Sequence, residues 1–113
     1  MESKQYHRGD IVYIFDNMFT TGSEIRGDRP AVVVSRDRYN QCSQVIEVVY
    51  LTTAAKKLMQ THVPVLSSGR LSTAVCEQIS SVDKSRIGKI HGKCTEQEMI
   101  SIDQALHYSL ALE

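Results

Sequence analysis

Arg29-Pro30-Ala31-Val32-Val33-Val34 and, a polar stretch later, Val45-Ile46-Glu47-Val48-Val49-Tyr50-Leu51-Thr52-Thr53 decide the fold. Both apolar runs are short and rich in β-branched residues, which fit a pleated buried surface better than a helix. Pro30 cannot donate to a ladder and restricts the residue before it to extended dihedrals. It therefore marks a strand start and makes Arg29 the last loop residue. The strands are expected at about 31–35 and 45–52, antiparallel and joined by the polar connection 36–44. The start of one strand and the end of the next then converge at one sheet edge. The permanently charged guanidinium of Arg29 and a hydroxyl of Thr52 or Thr53 meet there, and together they can hold a phosphate.

Outward from this pair, Gly9-Asp10 leads into Ile11-Val12-Tyr13-Ile14-Phe15, a β-branched and aromatic strand. Residues 16–29 lose all periodicity, and a loop of that length in a small domain is usually functional or mobile. Further strands are expected at Thr61 to Val65 and Thr73 to Ile79, with a weaker one at Lys89 to Lys93 and a short helical turn at Asp83 to Ile87. Thr95-Glu96-Gln97-Glu98 is a capping-box pattern, and Met99, Ile102, Leu106 and Leu110 then recur at helical spacing. A terminal amphipathic helix over 96–112 is expected to lay its apolar stripe on the sheet. The class is mainly β with a C-terminal α-helix (α+β): a small, strongly bent antiparallel sheet or partial barrel.

A chain of 113 residues can bury one core, so residues 1–113 are read as one domain. Lysine plus arginine and aspartate plus glutamate both total 13, so no global positive field recruits a polyanion, and any nucleic-acid contact must use a local patch. Cys42, Cys76 and Cys94 are odd in number and share no C-x-x-C spacing, which argues against a disulfide framework and a zinc knuckle. No secretory h-region or membrane-length apolar stretch occurs, so a cytoplasmic soluble protein without membrane or metal is expected.

Arg8-Gly9-Asp10-Ile11-Val12-Tyr13, Gly22-Ser23-Glu24, Arg29-Pro30 before a valine run, Leu51-Thr52, Thr61-His62-Val63, Glu77-Gln78-Ile79, Val82-Asp83-Lys84 and the helix ending Ser109-Leu110-Ala111-Leu112 together resemble the MazF/PemK toxins of bacterial toxin–antitoxin pairs. The match runs in order along nearly the whole chain. The resemblance implies an SH3-like, partly open antiparallel barrel. It also implies a homodimeric, metal-independent endoribonuclease that needs no cofactor, cuts single-stranded RNA (mRNA) at short sequences and is silenced by a cognate antitoxin. The family's catalytic arginine falls on Arg29 and its threonine on Thr52, with Thr53 the adjacent alternative. Two departures, Ile25-Arg26-Gly27-Asp28 in place of a glycine-rich stretch and Met18-Phe19-Thr20 in place of a proline-containing one, bear on base preference. The other reading is a toxin of the same fold that poisons DNA gyrase without catalysis. Those relatives act through a C-terminal tip that includes tryptophan, which this chain lacks.

Metal-free RNA cleavage asks for a base at the 2′-hydroxyl, stabilised charge on the phosphoryl oxygens and an acid at the departing 5′-oxygen. It leaves a 2′,3′-cyclic phosphate and a 5′-hydroxyl. Arg29 suits the middle task, and Thr52 can donate to or orient the scissile group. Glu24, Asp28 and His62 are the candidate acids and bases by residue type. For RNA contact, Arg26, Arg36, Arg38, Lys56 and Lys57 flank the two strands. Phe19 and Tyr39 can stack unpaired bases, and Gln78 can contact a base. Each of these also has a structural reading: His62 as a strand histidine, Lys56-Lys57 as a solvated turn, Glu77-Gln78 as strand hydrogen bonding and Cys76 as a small core residue.

Overall fold

The computed structural model describes residues 5–15, 29–54 and 56–112. In chain order the elements are β1 (Asp10–Ile14), β2 (Arg29–Val33), α1 (Asp37–Cys42), β3 (Val45–Thr52), β4 (His62–Val65), β5 (Ser72–Asp83), a 3-10 turn (Lys84–Arg86), β6 (Ile87–Lys93) and α2 (Glu96–Leu110). The strands form one antiparallel six-stranded sheet in the order β4-β5-β3-β2-β1-β6, bent but not closed. Among the described residues no helix is long and apolar enough to cross a membrane.

The valine runs are continuous rather than alternating because both faces of the central strands are covered. Ile11, Val32, Val49 and Leu51 point to one face and pack with Val63, Val65, Ala74, Cys76 and the α2 residues Ile102 and Ala105. Their strand neighbours Val12, Ala31, Val33 and Val48 point to the other, where Tyr6, Ile14, Ile46, Val82 and Ile87 close a second cluster. Burying a side chain of this size contributes roughly 1.5–3 kcal/mol. The two clusters therefore hold the sheet from both sides, and the period of two assigns each residue to one of them.

Where the sheet leaves a seam, α2 stitches it. Thr95 and Glu98 form the expected capping box: the Thr95 hydroxyl accepts from the Glu98 N–H at 3.0 Å, and the Glu98 carboxylate accepts from the Thr95 N–H at 2.8 Å. The same carboxylate reaches across to the end of β4, accepting from the Leu66 N–H at 2.8 Å, the Ser67 N–H at 3.3 Å and the Ser67 hydroxyl at 2.5 Å. Burial pushes the Glu98 carboxyl up, but the donors from Ser67, Thr95 and Leu66 outweigh it and hold the pKa below the ordinary value. Along the seam β6 runs so close to this loop that a Cβ on Gly92 would lie 3.2 Å from the Ser67 carbonyl oxygen.

Several boundaries differ from the sequence expectation. The connection 36–44 is not wholly irregular but contains α1, a six-residue helix. Its apolar content is too low to give periodicity, and tertiary contacts hold it instead. The buried Asn40 donates to the Ser35 carbonyl at 2.9 Å and accepts from the Ser35 hydroxyl, and Asp37 accepts from the Arg8 N–H at 2.6 Å. Strand β2 begins at Arg29 itself rather than after it, because Arg29 pairs with Ile14 of β1. Strand β5 runs to Asp83 instead of Ile79. It crosses β3 with a break between the pairs Val49↔Ile79 and Leu51↔Ala74, so residues 75–78 bulge out of that ladder. The helix ends at Leu110, where Ala111 takes a left-handed conformation and Leu112 N–H returns to the His107 carbonyl at 2.9 Å.

Replacing Glu98 with alanine removes a cap and several charge-assisted hydrogen bonds together. It is expected to lower stability by about 2–3 kcal/mol. Urea denaturation should show a lower midpoint at an unchanged slope, and an unshifted midpoint would refute the stitching role.

Candidate active site

The β2–β3 register brings the opening pair together. Ala31 faces Tyr50, Val32 faces Val49 and Val33 faces Val48. Continued by two residues, this register sets Arg29 opposite Thr52. Arg29 is exposed, and its guanidinium carbon sits 4.5 Å from the centroid of the Tyr50 ring. Stacking of this kind is worth about 0.5–1 kcal/mol at an exposed site and uses the face of the planar fork, so it does not itself occupy the in-plane N–H donors. The Thr52 hydroxyl oxygen accepts from the Ala54 N–H at 3.1 Å, so its own proton remains available to donate.

Arg29, Pro30, Thr52 and Thr53 line a cavity of about 320 Å³ together with Tyr13, Leu51, Ser68, Arg70 and Ser72. Two guanidiniums, four aliphatic hydroxyls and the phenol of Tyr13 thus share one depression, and no carboxylate is among its described lining residues. Tyr13 is held at its wall by an edge-to-face contact with His91, ring centroids 4.0 Å apart. Ser68, Arg70 and Ser72 are absent from the sequence candidates. The stretch Ser67-Ser68-Gly69-Arg70 carries the signal that could have found them: hydroxyls, a turn glycine and a cation between two apolar strands.

The remaining candidates separate. Glu24, Asp28, Phe19 and Arg26 lie outside the described residues. Arg36, Arg38 and Tyr39 do not flank the site: they belong to α1 and its cap, at the opposite end of the β2–β3 pair from Arg29. In an antiparallel pair the connection lies at the far end from the point where one strand starts and the other ends, so these three cannot join a patch at Arg29. Lys56 and Lys57 are exposed on the segment leaving Thr53, and Gln78 is exposed in the β5 bulge; none of the three lines the cavity.

His62 does not line it either. Its ring lies between Lys57, whose carbonyl is 2.8 Å from Nδ1, and Glu77, whose carboxylate is 3.0 Å from Nε2. With its side chain only 8 % exposed, the ring acts as a clamp across the base of the segment 57–62. A neutral imidazole can donate to one of these acceptors, the imidazolium to both. The Lys57 carbonyl first and the Glu77 carboxylate second therefore raise the His62 pKa. Burial pushes Glu77 up, but the neighbouring Thr61 side chain, its own backbone N–H and His62 together hold it below the ordinary value. Cys76 and Cys94 are buried, and desolvation pushes both thiols up to about 12, so neither supplies a thiolate nucleophile.

The model of the PemK-like, MazF-like toxins of type II toxin–antitoxin systems matches residues 7–110. The chain belongs to this family. Among its relatives, Endoribonuclease MazF of Staphylococcus epidermidis is 34% identical over 110 residues, covering 93% of this chain and 91% of that protein. Endoribonuclease EndoA of Bacillus subtilis is likewise 34% identical over 110 residues, covering 93% and 94%. Among solved structures, an endoribonuclease in complex with its cognate antitoxin from Mycobacterial species superposes with a TM-score of 0.80 at 24% identity, covering 96% of this chain and 97% of that one. MazF from Deinococcus radiodurans superposes at 0.79 and 21%, covering 96% and 99%. The likeness to these structures shows that the bent sheet with its terminal helix is the MazF toxin fold. A PemK/MazF-like toxin is thus the frame in which the Arg29–Thr52 cavity is to be understood.

The His62 clamp has a pH signature. Because the folded His62 pKa is raised, its contribution to stability is complete below the unfolded value of about 6.5 and is lost as pH rises through the folded value. The Glu77 contribution is complete above about 4.5 and is lost as pH falls through its lowered folded value. Proton NMR titration of the His62 ring is expected to give a midpoint above that of free histidine, and Glu77→Gln to bring it down. An unchanged midpoint in Glu77→Gln would contradict the clamp.

Proposed function

We propose that this toxin is a metal-independent, sequence-specific endoribonuclease that cleaves single-stranded RNA to 2′,3′-cyclic phosphate and 5′-hydroxyl ends. The observation that carries this reading is the cavity in which Arg29, stacked on Tyr50, shares the lining with Thr52, whose hydroxyl oxygen accepts from Ala54 and so can donate its own proton. The two curated relatives described above are named endoribonucleases.

In the proposed reaction the 2′-oxygen attacks phosphorus, its proton passes to a base, the bond from phosphorus to the 5′-oxygen breaks, and that oxygen takes up a proton. Arg29 offers parallel N–H donors to two phosphoryl oxygens, a geometry that a lysine point charge does not reproduce. Thr52 donates to the same group and fixes its orientation. Both ring nitrogens of His62 are engaged by Lys57 and Glu77. The proton carriers of this proposal are therefore Glu24 and Asp28, which lie within five residues of Arg29 in the chain. Lys56, Lys57 and Gln78, with Phe19 and Arg26 of the loop 16–28, are the proposed RNA contacts beyond the cavity.

The reading extends to partners. The Mycobacterial relative is described in complex with its cognate antitoxin, and another from Deinococcus radiodurans is a MazE-MazF complex. By analogy this chain, acting as one domain in the cytoplasm, has an antitoxin of its own. A homodimer is part of the proposal, and the exposed Ile100, Tyr108 and Leu110 of α2 offer apolar surface for it.

The test is direct. Purified protein with unstructured RNA in excess chelator is expected to produce fragments whose 5′ ends accept phosphate from a kinase without prior dephosphorylation. Arg29→Ala should lower kcat by at least about 10²–10³-fold, the usual cost of one charge-stabilising donor. Thr52→Ala is expected to fall in the same direction. Intact RNA, or cleavage by Arg29→Ala at the wild-type rate, would overturn the assignment.

A further inference from the structure

The loop between β4 and β5 contributes an arginine that the reaction as described does not use. It turns tightly: the Gly69 N–H returns to the Leu66 carbonyl at 3.1 Å, and Gly69 has φ of +97°, a conformation that L side chains rarely adopt. The backbone of the next residue is then pinned from two directions. The Arg70 carbonyl accepts from the Ser68 hydroxyl at 3.0 Å and from the Ser72 hydroxyl at 3.2 Å, and these two hydroxyls lie 3.1 Å apart. Upstream, the Glu98 carboxylate holds Leu66 and Ser67. The loop is therefore built on fixed hydrogen bonds to a buried serine at one end and to the α2 cap at the other.

The Arg70 side chain is left exposed by all this, and among the described residues no carboxylate pairs with it. It lines the same cavity as Arg29, from a different loop, together with the hydroxyls of Thr52, Thr53, Ser68 and Ser72. In a chain whose basic and acidic residues balance at 13 each, two guanidiniums in one depression, with no carboxylate among its described lining residues, form a local anion field. One phosphate needs only one guanidinium fork. A polyanion with a repeating charge is the ligand that accounts for two.

We propose that Arg70 is a substrate-binding residue that takes a backbone phosphate next to the scissile one, so that the RNA strand is held at two successive phosphates and its register over Arg29 and Thr52 is set. This rests on the ribonuclease reading for the identity of the strand. The binding geometry itself is independent of whether the strand is cut. Because Arg70 meets a phosphate that does not react, it acts alike on ground state and transition state. Its loss therefore weakens binding and leaves the chemical step in place.

Two measurements on the full chain separate the possibilities. Cleavage of an unstructured RNA pool by Arg70→Ala is expected to show KM raised about 5–20-fold with kcat changed less than about threefold, the pattern of lost uniform binding. Anisotropy with a non-cleavable 2′-O-methyl oligonucleotide pool, followed against salt, is expected to show the slope of log Kd on log salt reduced by about 0.7, the share of one phosphate contact on a single strand. Arg70 is exposed, so an unchanged thermal midpoint serves as the folding check. If wild type cuts RNA and Arg70→Ala leaves both KM and the salt slope unchanged, the second phosphate site is refuted while the nuclease stands. If wild type does not cut, the nuclease fails, and the anisotropy arm still decides Arg70. A variant with kcat lowered and KM unchanged would place Arg70 in the chemical step and overturn the binding role.

Discussion

The antiparallel register between β2 and β3 is the constraint on which the rest of the molecule depends. With Ala31 opposite Tyr50, every second residue of both strands is assigned to one of two buried clusters, and the continuation of the pairing sets Arg29 against Thr52. A slip by one residue would turn each valine to the wrong face and part the guanidinium from the hydroxyl at the same time. Packing and chemistry are thus specified by a single alignment. The two strands sit at the centre of the sheet, where neither has a free edge along which to slide.

Around that pair the protein builds an electrostatic exception. The chain as a whole carries no net charge, and the ion pairs among the described residues lie elsewhere: Arg8 with Asp103 and, when the ring is protonated, His62 with Glu77 and His7 with Asp10. At the cavity, aromatic stacking on Tyr50 restrains Arg29 without neutralising it, whereas a carboxylate partner would have competed with a phosphate for the same donors. Hydroxyls supply much of the remaining lining. Ser68 and Ser72 spend their protons on the Arg70 carbonyl, whereas Thr52 can donate to an anion without adding a charge that has to be desolvated in its absence.

Much of this was legible from residue type and spacing. Ala31 to Val34 and Val45 to Leu51 read as strands because β-branched runs of that length have few alternatives, and Thr95 with Glu98 read as a helix start because the capping chemistry is local. The elements that escaped are those held by distant partners. Helix α1 owes its existence to Ser35, Asn40 and Arg8 rather than to any periodicity, and β5 continues past Ile79 only because β3 offers it Val45 to Val48 as partners. The β4–β5 loop's share of the cavity escaped for the same reason: Arg70 is placed by a turn, two serines and a glutamate in α2. His62 was visible as a titratable side chain, but its engagement with Lys57 and Glu77 depends on the β4–β5 pairing, which no local pattern announces.

The stitch made by Glu98 also has a temporal meaning. The first strand, β1, pairs with the last, β6, and the loop that presents Arg70 receives its anchor from the helix that follows β6. Contacts of such long sequence separation carry the loop-closure entropy of nearly the whole chain, which slows folding and places it late. As the chain emerges from the ribosome, Arg29 and Thr52 are available early, but the seam stays open and Arg70 unanchored until the final helix has formed. A cavity assembled in this order has both its arginines in place only after α2 has been made and docked.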